Sequence, residues 1–210
     1  MSQSETKKHW EKVWSQKRAD ETSWFQKEPA LSLAMIERSG MAHDEALIDV
    51  GGGASVLMDR LLEAGYRDIT SLDVSGAALQ QARQRLGWDA SQINWIEGDV
   101  RVFEPPRRYA LWHDRAVFHF LTSAQDQKRY VERLESSVLP GGQLIIATFA
   151  PDGPKKCSGL DIVQHDATSL QPMLGARWKL LEEQIDIHRT PVGREQKFGF
   201  YRFEFQNMQR

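Results

Sequence analysis

The sequence is poor in cysteine, in long hydrophobic runs and in net charge. A single cysteine, Cys157, excludes an internal disulfide framework and leaves the reducing cytoplasm as the default compartment, so we expect a cytoplasmic protein. No apolar run approaches the length of a membrane span, and residues 1–5 lack the apolar core of a signal peptide. The formal net charge of −2 gives no general attraction to nucleic acid. We therefore predict neither a membrane partner nor a nucleic-acid partner.

What is present suits one α/β domain. The 210 residues are 40% hydrophobic and 27% charged, which is enough for one buried core but short for two domains. The histidines and the cysteine stand at no spacing typical of metal ligands, so we expect no metal site. Strands and helices alternate, and no repeat is visible. The predicted strands cover residues 46–50, 69–73, 93–96, 109–112, 144–147, 180–188 and 198–205. The predicted helices lie around residues 10–14, at 29–40, 55–64 and 76–86, and after a cap at Thr122 or Ser123, while residues 140–142 predict a turn.

The most informative segment is a glycine-rich turn after the first predicted strand. The apolar run Leu47–Val50 predicts a buried strand, Gly51, Gly52 and Gly53 follow at once, and Ser55 opens an amphipathic stretch that predicts a helix. Glycines allow positive φ and leave no Cβ between the backbone and a ligand, while the helix directs free N–H groups into the same crevice. The segment is typical of a nucleotide-cofactor site.

The same segment argues against a dinucleotide cofactor. The dinucleotide pattern requires a third glycine three positions after the second, and Val56 occupies that position. Asp73 ends the next apolar run, where an acidic side chain can accept hydrogen bonds from both ribose hydroxyls. A dinucleotide dehydrogenase is therefore disfavoured.

Four signals resemble the class I S-adenosylmethionine-dependent methyltransferase family and fall in its order. They are Asp-x-Gly-x-Gly-x-Ser from Asp49 to Ser55, acidic Asp73, Gly98-Asp99, and Pro140-Gly141-Gly142 before strand five. The resemblance runs from Leu47 to about Phe205, although Ser55 replaces a frequent third glycine. It implies a three-layer, Rossmann-like α/β sandwich with a seven-stranded sheet of order 3-2-1-4-5-7-6, strand seven being antiparallel. We expect residues 41–210 to form the methyltransferase domain and residues 1–40 to form an N-terminal helical lid on it.

The resemblance also implies the cofactor S-adenosyl-L-methionine and the product S-adenosyl-L-homocysteine. In the family, residues matching Gly51 and Gly53 pack on the methionine part, the Asp73 match holds the ribose, and the Asp99 match meets the adenine amino group. The residues implied to contact the cofactor are Asp49, Gly51, Gly52, Gly53, Ser55, Asp73, Val74, Gly98, Asp99, Val100 and Asp114.

Methyl transfer is an in-line displacement, so the protein mainly positions the nucleophile and excludes water. A general base is needed only where the acceptor is protonated at working pH. The candidates, which stand near the carboxyl ends of strands four and five, are His113, Asp114, His119 and Asp152. Aromatic faces attract a sulfonium, so Trp24 or Phe25 could contact it. With His119 and Cys157 they are also the candidates for contacts to the acceptor or lid. Cys157 is not expected to act as a nucleophile, because methyl transfer needs no covalent intermediate.

The acceptor is the open question. Some relatives bind a flipped base or an amide nitrogen with an Asn/Asp-Pro-Pro-Tyr/Phe signature, and here residues 113–116 read His-Asp-Arg-Ala, which disfavours a nucleobase or glutamine acceptor. The leading hypothesis is transfer to S, O or N of a small molecule. The alternatives are a lysine of a partner protein and a cofactor-binding module without chemistry.

Overall fold

The computed structural model describes residues 1–207. Its helices are α1 Gln3–Gln16, α2 Ala30–Arg38, α3 Leu57–Glu63, α4 Gly76–Leu86, α5 Ala124–Ser137 and α6 Ala167–Leu174, with short 3₁₀ turns at Ala19–Glu21, Gly87–Gln92 and Phe118–Phe120. Its strands are β1 Leu47–Val50, β2 Ile69–Asp73, β3 Ile93–Glu97, β4 Tyr109–Arg115, β5 Val138–Phe149, β6 Lys156–Cys157, β7 Leu160–Asp161, β8 Trp178–Arg189 and β9 Glu195–Phe205.

Seven strands form one sheet in the order β3-β2-β1-β4-β5-β9-β8, and β6 pairs only with β7 in a separate hairpin. β1 is parallel to β2 and β4, whereas β9 is antiparallel to both β5 and β8. Without the hairpin strands, this is the predicted order 3-2-1-4-5-7-6 with its antiparallel strand seven. The predicted fold class is confirmed, although the hairpin was not predicted.

The sheet is covered on both faces because successive strand residues point to opposite sides. In β5, Leu144 and Ile146 pack on one side with residues of α5 and α6, such as Leu134 and Leu170. Ile145 and Ala147 pack on the other side with residues of α2 and α3. This alternation produces three layers, with helices on both faces of the sheet. These helices cover the faces and not the carboxyl ends of the parallel strands.

Three local predictions were wrong: the end of strand four, the start of the helix after the glycine turn, and the turn at residues 140–142. β4 continues to Arg115 and does not end at Trp112, because His113 and Asp114 pair in register with Asp49 and Val50 of β1. α3 begins at Leu57 and not at Ser55.

The predicted turn at residues 140–142 lies inside β5. Tyr109 stands opposite Val138 and Leu111 opposite Gln143, so the intervening residues of β5 form a bulge that keeps the strand paired.

None of the helices in residues 1–207 combines the length and hydropathy needed to cross a bilayer.

Candidate active site

A cavity of about 360 Å³ lies at the carboxyl ends of β1, β2 and β4. We call its two parts the cofactor half and the acceptor half. The cofactor half is lined by Gly51, Asp73, Val74, Gly98, Asp99 and Val100, and the acceptor half by Trp10, Trp24, Arg115, Phe120, Cys157 and Leu160. In an open α/β sheet, ligands bind at this edge, where the strand order reverses between β1 and β4.

The glycine turn after β1 has no room for side chains. Gly51 has a φ of +69°, and a Cβ built on it would lie 2.0 Å from Cγ2 of Val117. A Cβ on Gly52 would lie 2.6 Å from Oγ of Ser71 and 2.7 Å from Oδ2 of Asp49. The turn is therefore a bare main-chain floor, as a closely packed adenosyl cofactor requires.

Asp73 is buried beside this floor. Its Oδ1 accepts a hydrogen bond of 2.8 Å from the N–H of Ser75, and its Oδ2 faces Gly53. Burial raises the pKa of Asp73 to about 7, the nearby Asp49 adds to the increase, and the Ser75 N–H opposes it. This carboxyl therefore titrates near neutral pH in the ligand-free protein, and hydroxyl donors would favour its ionised form.

Asp99 reaches the cavity, where it forms a buried ion pair with Arg101. Nε of Arg101 lies 2.9 Å from Oδ1 of Asp99, and the same guanidinium donates to Asp126 and to the main-chain carbonyl of Met1. Arg101 was not among the predicted site residues, and no motif marks it. Asp99 lies only two residues from Arg101, whereas Asp126 and Met1 lie far away in sequence, so only the fold reveals the network in which Arg101 holds the Asp99 carboxylate.

Aromatic side chains of the N-terminal segment roof the cavity. The ring of Trp24 packs edge to face against Trp10 at 5.8 Å and Trp14 at 5.9 Å, and Trp10 packs against Phe120 at 5.1 Å. The segment is fastened to α4, since the side-chain amide of Gln81 donates to the carbonyl of Trp14 at 2.8 Å. Trp24 thus lines the cavity, and its contact with the cofactor or the acceptor stays a prediction.

Phe25 lies elsewhere. It lines a smaller neighbouring cavity of about 60 Å³, together with Asp49, Gly52, Ser55 and His113. Gly53 lines neither cavity, and a Cβ built on it would lie 3.1 Å from Oδ2 of Asp73 and 3.4 Å from the ring of Trp14. Of the predicted cofactor contacts, those at Asp49, Gly52 and Ser55 would therefore be made only from the side of the smaller cavity.

His113 is not positioned as a free base. Its Nδ1 lies 2.6 Å from Oδ1 of Asp49, and its Nε2 lies 2.9 Å from Oγ of Ser32. All three side chains are buried. With both ring nitrogens occupied, His113 holds Asp49 under the glycine turn and ties α2 to the sheet.

Asp114 is fully buried on the other face of β4. Its carboxylate accepts hydrogen bonds from the hydroxyl of Tyr130 at 2.7 Å and from the N–H groups of Val117 at 2.9 Å and Phe118 at 3.2 Å. Burial raises the pKa of Asp114 to about 6, against these hydrogen bonds. Because Asp114 does not line the cavity, we assign it the positioning of the loop after β4 and not direct contact with the cofactor.

We predict that Tyr130→Phe lowers the free energy of unfolding by about 2 kcal/mol. The change removes a hydrogen bond to the buried carboxylate of Asp114, and it leaves Nε1 of Trp112, 2.9 Å from the Tyr130 hydroxyl, without its acceptor. Urea unfolding measures the loss. Tyr66→Phe is the matched control, since the Tyr66 hydroxyl makes no hydrogen bond within residues 1–207, and a similar loss in both variants would contradict the assignment.

The two remaining base candidates also lie outside the cavity lining. His119 is fully buried with its ring 4.9 Å from that of Phe149, and burial lowers its pKa to about 3, so the imidazole is neutral. Asp152 forms a largely exposed ion pair of 2.7 Å with Lys197. Cys157 does line the acceptor half, where burial raises the pKa of its thiol to about 12.

The sheet order, the glycine floor after β1 and the acidic residue at the end of β2 define a class I S-adenosylmethionine-dependent methyltransferase fold. Residues 47–142 match a family model described as a methyltransferase domain. Residues 47–142 therefore form a methyltransferase domain, and S-adenosylmethionine is the cofactor that this domain implies.

Curated relatives differ in their acceptors. The chain is 25% identical over 107 residues to malonyl-[acyl-carrier protein] O-methyltransferase 2 of Ilyobacter polytropus, a match covering 50% of this chain and 40% of that protein. It is 26% identical over 133 residues to the eEF1A lysine and N-terminal methyltransferase of Mus musculus, covering 62% of this chain and 19% of that protein. The chain thus spans two fifths or less of the length of these relatives.

Solved structures share the whole fold. The N-methyltransferase NodS from Bradyrhizobium japonicum, in complex with S-adenosyl-L-homocysteine, superposes with a TM-score of 0.72 at 16% identity, covering 94% of this chain and 98% of that one. A structure reported for the conversion of a disulfide bond into a thioacetal group during echinomycin biosynthesis gives a TM-score of 0.76 at 17% identity, covering 96% and 92%.

Proposed function

We propose that the protein transfers a methyl group from S-adenosylmethionine to S, O or N of a small-molecule acceptor. The observation that carries the proposal is one cavity that joins the bare glycine floor and Asp73 to an aromatic roof supplied by the N-terminal segment. Its volume of about 360 Å³ lies at the small end of the range for ligand pockets. A cavity of that size beneath tryptophans suits a small acceptor better than a protein surface.

Each half of the cavity has its own task. The cofactor, when bound, supplies an electrophilic methyl carbon. Gly51 allows its close approach to the main chain, and the carboxylate of Asp73 accepts hydrogen bonds from its ribose. Trp10 and Trp24 exclude water, and their faces favour a positive sulfonium by about 0.5–2 kcal/mol.

The carboxylates on this side of the cavity are already paired, Asp126 with Arg101 and Asp161 with Lys156, so within residues 1–207 the acceptor half offers positioning and no unpaired general base. Within residues 1–207, no histidine lines the cavity, and the thiol of Cys157 stays protonated because its pKa is about 12. Catalysis would then rest on alignment of the nucleophile with the methyl carbon and on exclusion of water. Acceptors that are nucleophilic without losing a proton to the protein fit this half best.

The test begins with calorimetric titration of the full chain with S-adenosyl-L-homocysteine. The protein is then incubated with methyl-labelled cofactor and a cell extract, and small solutes are separated from proteins before counting. Label in the small solutes supports the proposal, and label on protein lysines supports the alternative of a protein acceptor. Cofactor binding without transfer to either fraction would indicate a binding module, and absence of binding would contradict all three.

A further inference from the structure

Arg115, the last residue of β4, has two side-chain nitrogens that donate no hydrogen bond to any acceptor in residues 1–207. Its Nη1 donates to the carbonyl of Trp24 at 3.0 Å, whereas Nε and Nη2 are shielded from solvent and have no partner within residues 1–207. A buried donor without an acceptor costs about 1–3 kcal/mol, and more when it is charged. Arg115 lines the cavity wall, so a shift of the side chains that cover these two nitrogens would open them to a ligand group that completes their hydrogen bonding.

The two free nitrogens form the fork with which arginine grips a carboxylate. In two other arginines of this protein, the same pair of nitrogens does bind a carboxylate. Nε and Nη2 of Arg85 lie 3.0 and 2.8 Å from the two carboxylate oxygens of Asp59, and Arg38 grips Glu182 in the same way. Arg115 presents this geometry with no carboxylate in residues 1–207 paired to it. The missing partner is therefore a planar group with two acceptor oxygens.

Arg115 lines both the main cavity and the smaller one, and the surroundings of its guanidinium favour the acceptor half of the main cavity. The guanidinium carbon lies 4.8 Å from the ring centroid of Phe198 in β9, on the side of β5 that faces away from the cofactor half. Burial lowers the pKa of Arg115 to about 10, while the charge of Asp186 acts in the opposite direction, so the guanidinium remains charged at neutral pH. The nearby walls of Trp10, Trp24 and Phe120 would hold an apolar or aromatic body.

We propose that the methyl acceptor is a small carboxylic acid whose carboxylate is bound by Nε and Nη2 of Arg115. The inference rests on the proposed function and names the substrate class for the same site. Arg101, the other arginine of the cavity wall, is already paired with Asp99 and Asp126, so it cannot take this role without breaking those pairs.

The experiment uses the full chain saturated with S-adenosyl-L-homocysteine, titrated by calorimetry with phenylacetate and with its neutral analogue phenylacetamide. We expect the acid to bind at least about tenfold more tightly than the amide. Arg115→Gln should abolish this preference, and Arg115→Lys should keep part of it, because lysine retains the charge without the fork. Arg38→Gln, which removes the fork closed on Glu182 outside the cavity, is the matched control and should behave as wild type.

Each other outcome contradicts the assignment. Equal binding of acid and amide by wild type, or binding of neither, would overturn it. An Arg115→Gln variant that folds normally but loses about tenfold or more affinity for S-adenosyl-L-homocysteine would assign the fork to the carboxylate of the cofactor. If wild type fails to bind S-adenosyl-L-homocysteine, the proposed function fails, and the comparison of acid with amide on the ligand-free protein still tests Arg115. A crystal structure with phenylacetate would show oxygens within about 3.2 Å of Nε and Nη2.

Discussion

Gly51→Ala is expected to weaken binding of S-adenosyl-L-homocysteine by at least about 100-fold, or about 2.7 kcal/mol. The new methyl group would lie 2.0 Å from Cγ2 of Val117, so either the turn or the loop after β4 must move. The backbone at Gly51 also has a φ of +69°, which costs an L-residue about 1–2 kcal/mol. Both effects fall on the floor of the cofactor half. Calorimetry measures the affinity, and urea unfolding measures the stability.

Gly40→Ala separates the two effects. Gly40 has nearly the same φ, +71°, but a Cβ built on it meets nothing within 4 Å. The Gly40→Ala variant should therefore lose about 1 kcal/mol of its free energy of unfolding through backbone strain and keep its affinity for the cofactor. The double variant Gly51→Ala, Val117→Ala removes the clashing atom and should recover part of the lost stability. Wild-type affinity in Gly51→Ala would show that the cofactor does not rest on this turn.

The fold could be predicted because its signals are local. Buried parallel strands are continuous apolar runs, helices are amphipathic, and glycines such as Gly87, with a φ of +59°, end a helix where an L-residue would be strained. The helix Gly76–Leu86 was predicted with its observed bounds. Resemblance to a family then supplied the order of the strands, which periodicity alone does not determine.

Site residues could be predicted from the sequence only where a single short segment determines their position. Gly51 and Asp73 follow directly from strand ends, and both line the cavity. The roles of His113 and Arg115 depend on partners far away in sequence, namely Asp49 and Ser32 for His113 and the carbonyl of Trp24 for Arg115. Neighbouring residues of a strand point to opposite faces, so a motif such as His-Asp-Arg does not reveal which of its members reaches a cavity.

Asp73→Ala is expected to weaken binding of S-adenosyl-L-homocysteine by about 1–3 kcal/mol, because hydrogen bonds between ribose hydroxyls and a buried carboxylate are lost. Calorimetry at pH 8 measures the change. Asp152→Ala is the control, since Asp152 is an acidic residue outside the cavity, paired with Lys197. Unchanged affinity in Asp73→Ala would remove Asp73 from the site.

The pH dependence of the same affinity gives Asp73 a second, independent signature. In the free protein its pKa is about 7, chiefly because of burial, and Asp49 and Glu11 are the charged groups that raise it further. Hydroxyl donors stabilise the ionised form, so binding lowers this pKa and releases a proton. Affinity should therefore rise with pH up to about 7 and level off above it, with a slope of at most about tenfold per pH unit. The Asp73→Asn variant cannot titrate at this position, so subtracting its pH profile removes ionisations of the ligand that both proteins share. If the two profiles run parallel, the carboxyl of Asp73 does not change its ionisation on binding, and direct hydrogen bonds from the ribose to its carboxylate are excluded.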